Sequence, residues 1–224
     1  MRLAELWALC LLPGSLAPPR PREAEGMSEL QWEQAQDYLR RFYPTDSKTK
    51  EADSLEARLK EMEKFFRLPI TGILNSHIIE IMQKPRCGVP DVAEYSLFPG
   101  SPKWTSKVVT YRVVSYTQDL SPLIVNQLVA KAFQLWSKEI PLSFKKVRTG
   151  TADIMIGFAR GGIDFLYAAA HELGHSLGLG HSSDPNAVMY PTYQNGDSKN
   201  LKLSQDDIKG IHKLYGRKSN TKKI

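Results

Sequence analysis

Thiols are nearly missing from this chain: among its 224 residues only Cys10 and Cys87 carry one. Cys10 falls in a segment, 1–17, built like a secretory signal, with Arg2 as its charged start, Leu6 to Leu12 as its apolar stretch and Ser15-Leu16-Ala17 as its small-residue exit. Once that segment is removed Cys87 stands alone, which excludes an intramolecular disulfide and leaves two readings, an inert buried thiol or a reactive or metal-bound one. Long apolar runs are also lacking, and the stretch in the signal is too short to span a bilayer, so a secreted, extracellular protein is expected. No repeat or low-complexity tract occurs, and 42% hydrophobic content is ordinary for a folded protein. No basic patch interleaved with aromatics and no nucleic-acid motif is present, so nucleic acid is not an expected partner.

Charge is unevenly spread. Residues 18–94 hold 12 basic and 14 acidic side chains, whereas residues 95–224 hold 17 and 9, a net of +8. The basic tail, 217–224, offers Arg217, Lys218, Lys222 and Lys223 to sulfated glycosaminoglycans or anionic lipid heads.

Apolar periodicity divides the chain. Three short amphipathic helices are predicted over 28–82: the first behind a Ser28/Gln31 capping box with Leu30, Tyr38, Leu39 and Phe42 on one side, the second carrying Leu55, Leu59, Met62, Phe65 and Phe66, and the third Leu74, Ile78, Ile81 and Met82. Residues 84–103, rich in proline and glycine, form a linker. Beyond it the pattern predicts strands at 107–116, 142–147 and 152–158, a helix from about Ser121 bearing Val125, Val129, Phe133 and Trp136, and a last helix from Ser204 to Gly216 with Ile208, Ile211 and Leu214 facing inward. That order is α/β. His77 and His212 are read as surface residues.

The chemistry is concentrated in His171-Glu172-Leu173-Gly174-His175-Ser176-Leu177-Gly178-Leu179-Gly180-His181. Two imidazoles four residues apart lie one above the other on a helix, Gly178 lets the chain leave it, and His181 supplies a third ligand. Three neutral nitrogens and an open position suit Zn2+, which lowers the pKa of a bound water to about 7. Glu172 is placed as the general base that takes the water's proton and passes it to the leaving amine. Met189, in Ala187-Val188-Met189-Tyr190-Pro191, is similar to the methionine turn beneath the zinc of metzincins, and Ser182 after the third histidine resembles matrixins rather than astacins or adamalysins. Pro85-Arg86-Cys87-Gly88-Val89-Pro90-Asp91 looks like the cysteine switch of matrix metalloproteinase zymogens.

On these residues the chain resembles the matrix metalloproteinases, and most nearly those members without a hemopexin domain. The resemblance implies an α/β (α+β) metzincin-like catalytic domain over 95–224, preceded by a helical propeptide over 18–94, with activation by a cut near Glu94-Tyr95. It implies that the Cys87 thiolate fills the open zinc position in the zymogen and that Arg86 and Asp91 pair. It also implies that Tyr167 makes the specificity pocket shallow, and that Pro191 and Tyr193 line the opposite wall. Extracellular matrix proteins would be substrates, tissue inhibitors of metalloproteinases partners, and the chain a monomer. One departure stands out. Between the strand ending near Ala159 and the zinc helix the family carries a loop for a structural zinc and calcium ions, and then two more strands, where this chain has only residues 160–163. His77 and His212 are too few for that second zinc site. Asp153 matches a Ca2+ ligand of the family, but its partners are missing. A reduced mixed sheet is therefore expected, with Ile154, Ile156 and Phe158 on an uncovered edge strand and peptide cleavage weakened. The alternative is a shortened form that binds zinc or sulfated glycans without proteolysis.

Overall fold

The computed structural model describes residues 27–44, 54–91, 97–98, 100–158, 164–193 and 200–219. The signal segment, the expected activation cut, the short link at 160–163 and the tail after 219 lie outside these residues. Among those described, no helix is long and apolar enough to cross a membrane.

Two hydrophobic cores form. The first joins α1 (Glu29–Phe42), α2 (Leu55–Phe65) and α3 (Ser76–Met82). Ser28 caps α1 in a full capping box with Gln31, and Ser54 and Asn75 cap the other two. Leu39, Leu59, Met62 and Ile78 fill the centre. Leu30, expected on the inner side of α1, is 62% exposed. It lies nine residues before Leu39, about two and a half turns away, and so on the opposite face. Glu63 is a buried charge with its lone pairs used: Thr71 donates from its backbone (2.8 Å) and hydroxyl (2.6 Å), and Gly72 from its backbone (2.8 Å).

The second core lies between a sheet and three helices. Here β1 (Val108–Val113), α4 (Pro122–Ser137), β2 (Ser143–Lys146), β3 (Ile154–Ile156), α5 (Phe165–Ser176) and α6 (Gln205–Tyr215) follow in order. Period-two alternation turns Val109, Tyr111 and Val113 of β1 inward. Against them α4 sets Val125, Val129, Ala132, Phe133 and Trp136, and the Tyr111, Phe133 and Phe144 rings stack in series at 4.2 and 4.6 Å. Trp136 is wholly buried, and its Nε1 donates to the Ala170 carbonyl at 2.9 Å, fixing α5 on α4.

The described strands pair β2-β1-β3, all parallel rather than mixed. The reason lies in the register: β2 pairs with β1 from Val108 to Tyr111, and β3 from Tyr111 to Val113. Since both partners meet at Tyr111, residues 147–153 need only cross β1 sideways, on the face away from α4, where Arg112 donates to the Gly150 carbonyl at 2.7 Å. β3 is an edge strand, as expected. Its apolar side chains nonetheless turn inward, for Ile154 is buried, Ile156 and Phe158 are half-buried, and Met155 is the exposed one. Phe158 packs its ring on Phe165 at 4.7 Å, so the two sides of the short link touch.

His77 is exposed, as read from the sequence. His212 is not a surface residue: it is half-buried, with Nε2 3.1 Å from the Glu139 carbonyl and 3.4 Å from its carboxylate, because α6 packs where α4 ends.

Candidate metal centre

Asp164 caps α5 by accepting from the Tyr167 amide at 3.1 Å, which starts the helix one residue past the short link. His171 and His175 then fall on one face of α5, and Glu172 lies beside them, exposed. The helix ends at Ser176 with Leu177 as its cap, and the chain turns at Gly178, whose φ of 99° and close approach to the Pro102 carbonyl leave no room for a Cβ. The chain doubles back and brings His181 against the other two rings.

Each imidazole is held from behind. His171 Nδ1 donates to the Val188 carbonyl at 2.7 Å, His175 Nδ1 to the Leu179 carbonyl at 2.8 Å, and His181 Nδ1 to Asp91 Oδ1 at 2.8 Å. All three Nε2 atoms are thereby left to one common point. Cys87 Sγ completes the group, and the four donor atoms lie within 4.8 Å of one another. Metal–nitrogen bonds of about 2.0–2.1 Å and a metal–sulfur bond of about 2.3 Å require tetrahedron edges of roughly 3.3 Å between nitrogens and roughly 3.5 Å between nitrogen and sulfur. His171 Nε2 stands 3.3 Å from His181 Nε2, and His175 Nε2 stands 3.5 Å from Cys87 Sγ. The donor set therefore fits a zinc ion.

The electrostatics agree with this fit. Burial, aided by the neighbouring imidazoles, holds His171 well below its ordinary value and His175 down at about 4, so both rings are neutral donors. Burial pushes the Cys87 thiol up to about 12, and the Glu172 carboxylate acts in the same direction. A thiolate at this place thus needs a cation beside it.

Residues 85–87 reach the cluster through a single isolated bridge. Arg86 pairs antiparallel with Thr192, the Cys87 amide donates to the Pro191 carbonyl at 2.9 Å, and the Tyr193 amide donates to Pro85 at 3.0 Å. Arg86 Nη2 meets Asp91 Oδ1 at 2.7 Å and Nη1 meets Oδ2 at 3.0 Å, both side chains being buried. The same guanidinium lies 3.7 Å over the Phe42 ring and donates to the Tyr38 hydroxyl at 2.5 Å. Tyr167 and Tyr193 pack edge to face at 6.2 Å, with the Tyr167 hydroxyl on the Ala187 carbonyl and the Tyr193 hydroxyl on Glu172 Oε1, each at 3.1 Å. Pro191 is buried beside them.

Met189 is buried under the cluster, and Gly174 makes room for it: a Cβ there would collide with Met189 Sδ. Asp207, which completes the capping box of α6 with Ser204, is buried and accepts the amides of Val188 (2.9 Å), Met189 (3.1 Å) and Ser204 (2.7 Å). Ser182 braces the same turn, its amide on the Met189 carbonyl at 2.8 Å and its hydroxyl on Asp206 at 2.6 Å. Asp153 lies elsewhere. Its carboxylate accepts the amide (2.7 Å) and hydroxyl (2.6 Å) of Thr110, and among the described residues it joins no cluster of metal donors.

Comparison with known proteins agrees with this architecture. A family model described as Peptidase_M10, Matrixin, matches residues 103–163 and again 160–216, breaking at the short link. A peptidoglycan binding domain model covers 28–82. Matrilysin of Homo sapiens is 65% identical over 266 aligned positions that cover all of both chains, and those positions exceed this chain's 224 residues by 42. Matrilysin of Mus musculus is 52% identical over 262 positions, covering 98% of this chain and 99% of that one. Stromelysin-2 of Rattus norvegicus is 38% identical over 231 positions, covering 81% of this chain and 48% of that one.

Proposed function

This chain belongs to the matrixin family, and from that premise we propose that His171, His175 and His181 hold one catalytic zinc, that Glu172 is its general base, and that Cys87 occupies the fourth position until the prosegment is cut away. The protein is the zymogen of a zinc metalloendopeptidase that acts on matrix proteins. The alternative, a zinc or glycan binder without proteolysis, is not favoured by these relationships. The observation that carries the site assignment is the convergence of the four donor atoms, of which the His171–His181 and Cys87–His175 pairs stand at the edge lengths of a tetrahedral ion. Calcium, which the family also implies, would need ligands other than a group of three or more His, Cys, Asp and Glu side chains, since among the described residues the only such group is the one around Cys87.

A zinc ion held by the three rings supplies Lewis acidity toward a carbonyl and makes a water acidic enough to lose a proton near neutral pH. Glu172 takes that proton. It is the exposed residue of α5 between two ligands, and the Tyr193 hydroxyl steadies its Oε1. Tyr167 limits the pocket that receives the side chain beyond the scissile bond to about the depth of leucine, and Pro191 and Tyr193 line its opposite wall. Met189, set on Asp207, supports the rings from below.

The domain limits that follow are a signal over 1–17, a prosegment over 18–94 and a catalytic domain over 95–224. Secretion, an extracellular matrix setting, recognition by tissue inhibitors of metalloproteinases, glycosaminoglycan binding by the tail and a monomeric state belong to the same reading. In that tail Lys218 gives one ammonium proton to the Ser137 carbonyl at 2.8 Å and stays exposed beside Arg217.

Elemental analysis of the purified zymogen should give one zinc per chain. Gelatin or casein zymography after organomercurial treatment should show cleavage that Glu172→Ala abolishes. Catalytic efficiency on a peptide should fall roughly tenfold or more below that of a relative with the full segment, at about 1 kcal/mol for each backbone hydrogen bond the absent strand would give the substrate. A chain that stays metal-free after dialysis against zinc overturns the assignment.

A further inference from the structure

Of the three ring anchors, two belong to the catalytic part and one does not. Val188 and Leu179, which hold His171 and His175, remain when the prosegment leaves. His181 is held by Asp91, a prosegment residue, and neither side chain is exposed to solvent at all. We propose that Asp91 is a positioning residue for the metal, so that the prosegment grips the zinc twice, directly through Cys87 and indirectly through the His181 ring, and the ion is held more weakly once the prosegment is gone. The inference rests on the zinc assignment above.

The geometry leaves Asp91 little freedom to do otherwise. Oδ2 takes Arg86 Nη1 and the Tyr43 hydroxyl, Oδ1 takes Arg86 Nη2 and His181 Nδ1, and the Asp91 amide donates to the Phe42 carbonyl at 2.9 Å. Phe42 closes α1 and Tyr43 caps it, so the end of the first prosegment helix fixes the carboxylate, and the carboxylate fixes the ring. A carboxylate on Nδ1 selects the tautomer whose Nε2 lone pair points at the metal and makes that nitrogen a stronger donor than a carbonyl partner would. Loss of such an outer partner typically weakens metal binding about 10- to 100-fold.

The test uses the full chain with Glu172→Ala, which prevents self-cleavage, and Cys87→Ser, which removes the direct sulfur ligand. Zinc affinity is measured by competition with a chromogenic chelator, and the ring N–H protons of the histidines by 15N-edited NMR of the zinc-loaded protein. In this parent one ring proton should lie at markedly lower field than the other two, as expected for donation to a carboxylate; three alike overturn the proposal without any further variant. Adding Asp91→Asn should weaken zinc about tenfold or more and move that one signal alone. An affinity within twofold of the parent, or a loss of affinity with the signal unmoved, overturns it. A parent that binds no zinc at all overturns the zinc assignment itself, which is distinguishable because Asp91 is then still in place.

Discussion

Glu172 and Asp207 are both carboxylates, yet they are placed for opposite tasks. Glu172 is exposed, accepts the Tyr193 hydroxyl and lies within hydrogen-bond reach of the Cys87 thiol. Replacing it with alanine is expected to lower peptide hydrolysis at least about 100-fold while leaving zinc per chain unchanged, as turnover and metal content together would reveal. Asp207 is buried and gathers three backbone amides, two of them from the methionine turn. Asp207→Ala strands those donors and should cost about 3 kcal/mol of stability, read from denaturant unfolding of the zymogen. The sequence points to the general-base role proposed for Glu172 through its fixed offset from the histidines. It hid the task of Asp207, because a capping box looks the same whether or not its aspartate also reaches a turn far away in sequence.

At the level of elements, α4 and α6 were written plainly in three- and four-residue periodicity, α5 only in the spacing of its two histidines, and the strand positions followed from alternation. Parallel pairing was not, since it depends on where residues 147–153 cross β1, and only the meeting of both registers at Tyr111 reveals that. The match between α5 and the methionine turn was equally hidden. Gly174 looks like an ordinary weak point in a helix, but it is the only residue type that lets Met189 sit against the backbone there. Gly174→Ala should therefore destabilise the zymogen by about 1–3 kcal/mol through overpacking, despite alanine's better helix propensity. A higher melting temperature in thermal unfolding would contradict this.

For the molecule as a whole, the two cores are joined by the segment around Cys87 and by two contacts from the helical half, Phe66 on Tyr190 and Arg67 on Ser183. Cys87 is 3% exposed. In the chain freed of residues 1–17 it should react with a disulfide reagent far more slowly than a free thiol, and chelation of the metal should speed the reaction. Alkali should strain the same junction. Burial raises the phenols of Tyr38, which supports Arg86, and Tyr167, which lines the wall, to about 12 each. Their folded values lie above the unfolded value of about 10. The stability they contribute is thus full below about 10 and is lost as pH rises toward 12, and phenolate absorbance should appear together with the loss of near-ultraviolet dichroism. Aromatic residues such as Tyr38 and Phe42 were legible as core of the bundle, but no periodicity could show that they also carry the guanidinium.

The aromatic pair Phe158–Phe165 closes the joint between sheet and zinc helix, while β3 is fastened by β1 and α5 by α4 through Trp136. Each flank has a footing of its own among the described residues. The joint is thus a port that tolerates different lengths of chain, for each doubling of a loop adds only about 0.6 kcal/mol of closure entropy. A gene that gains or loses material here can vary what surrounds the cleft while inheriting the metal centre unchanged.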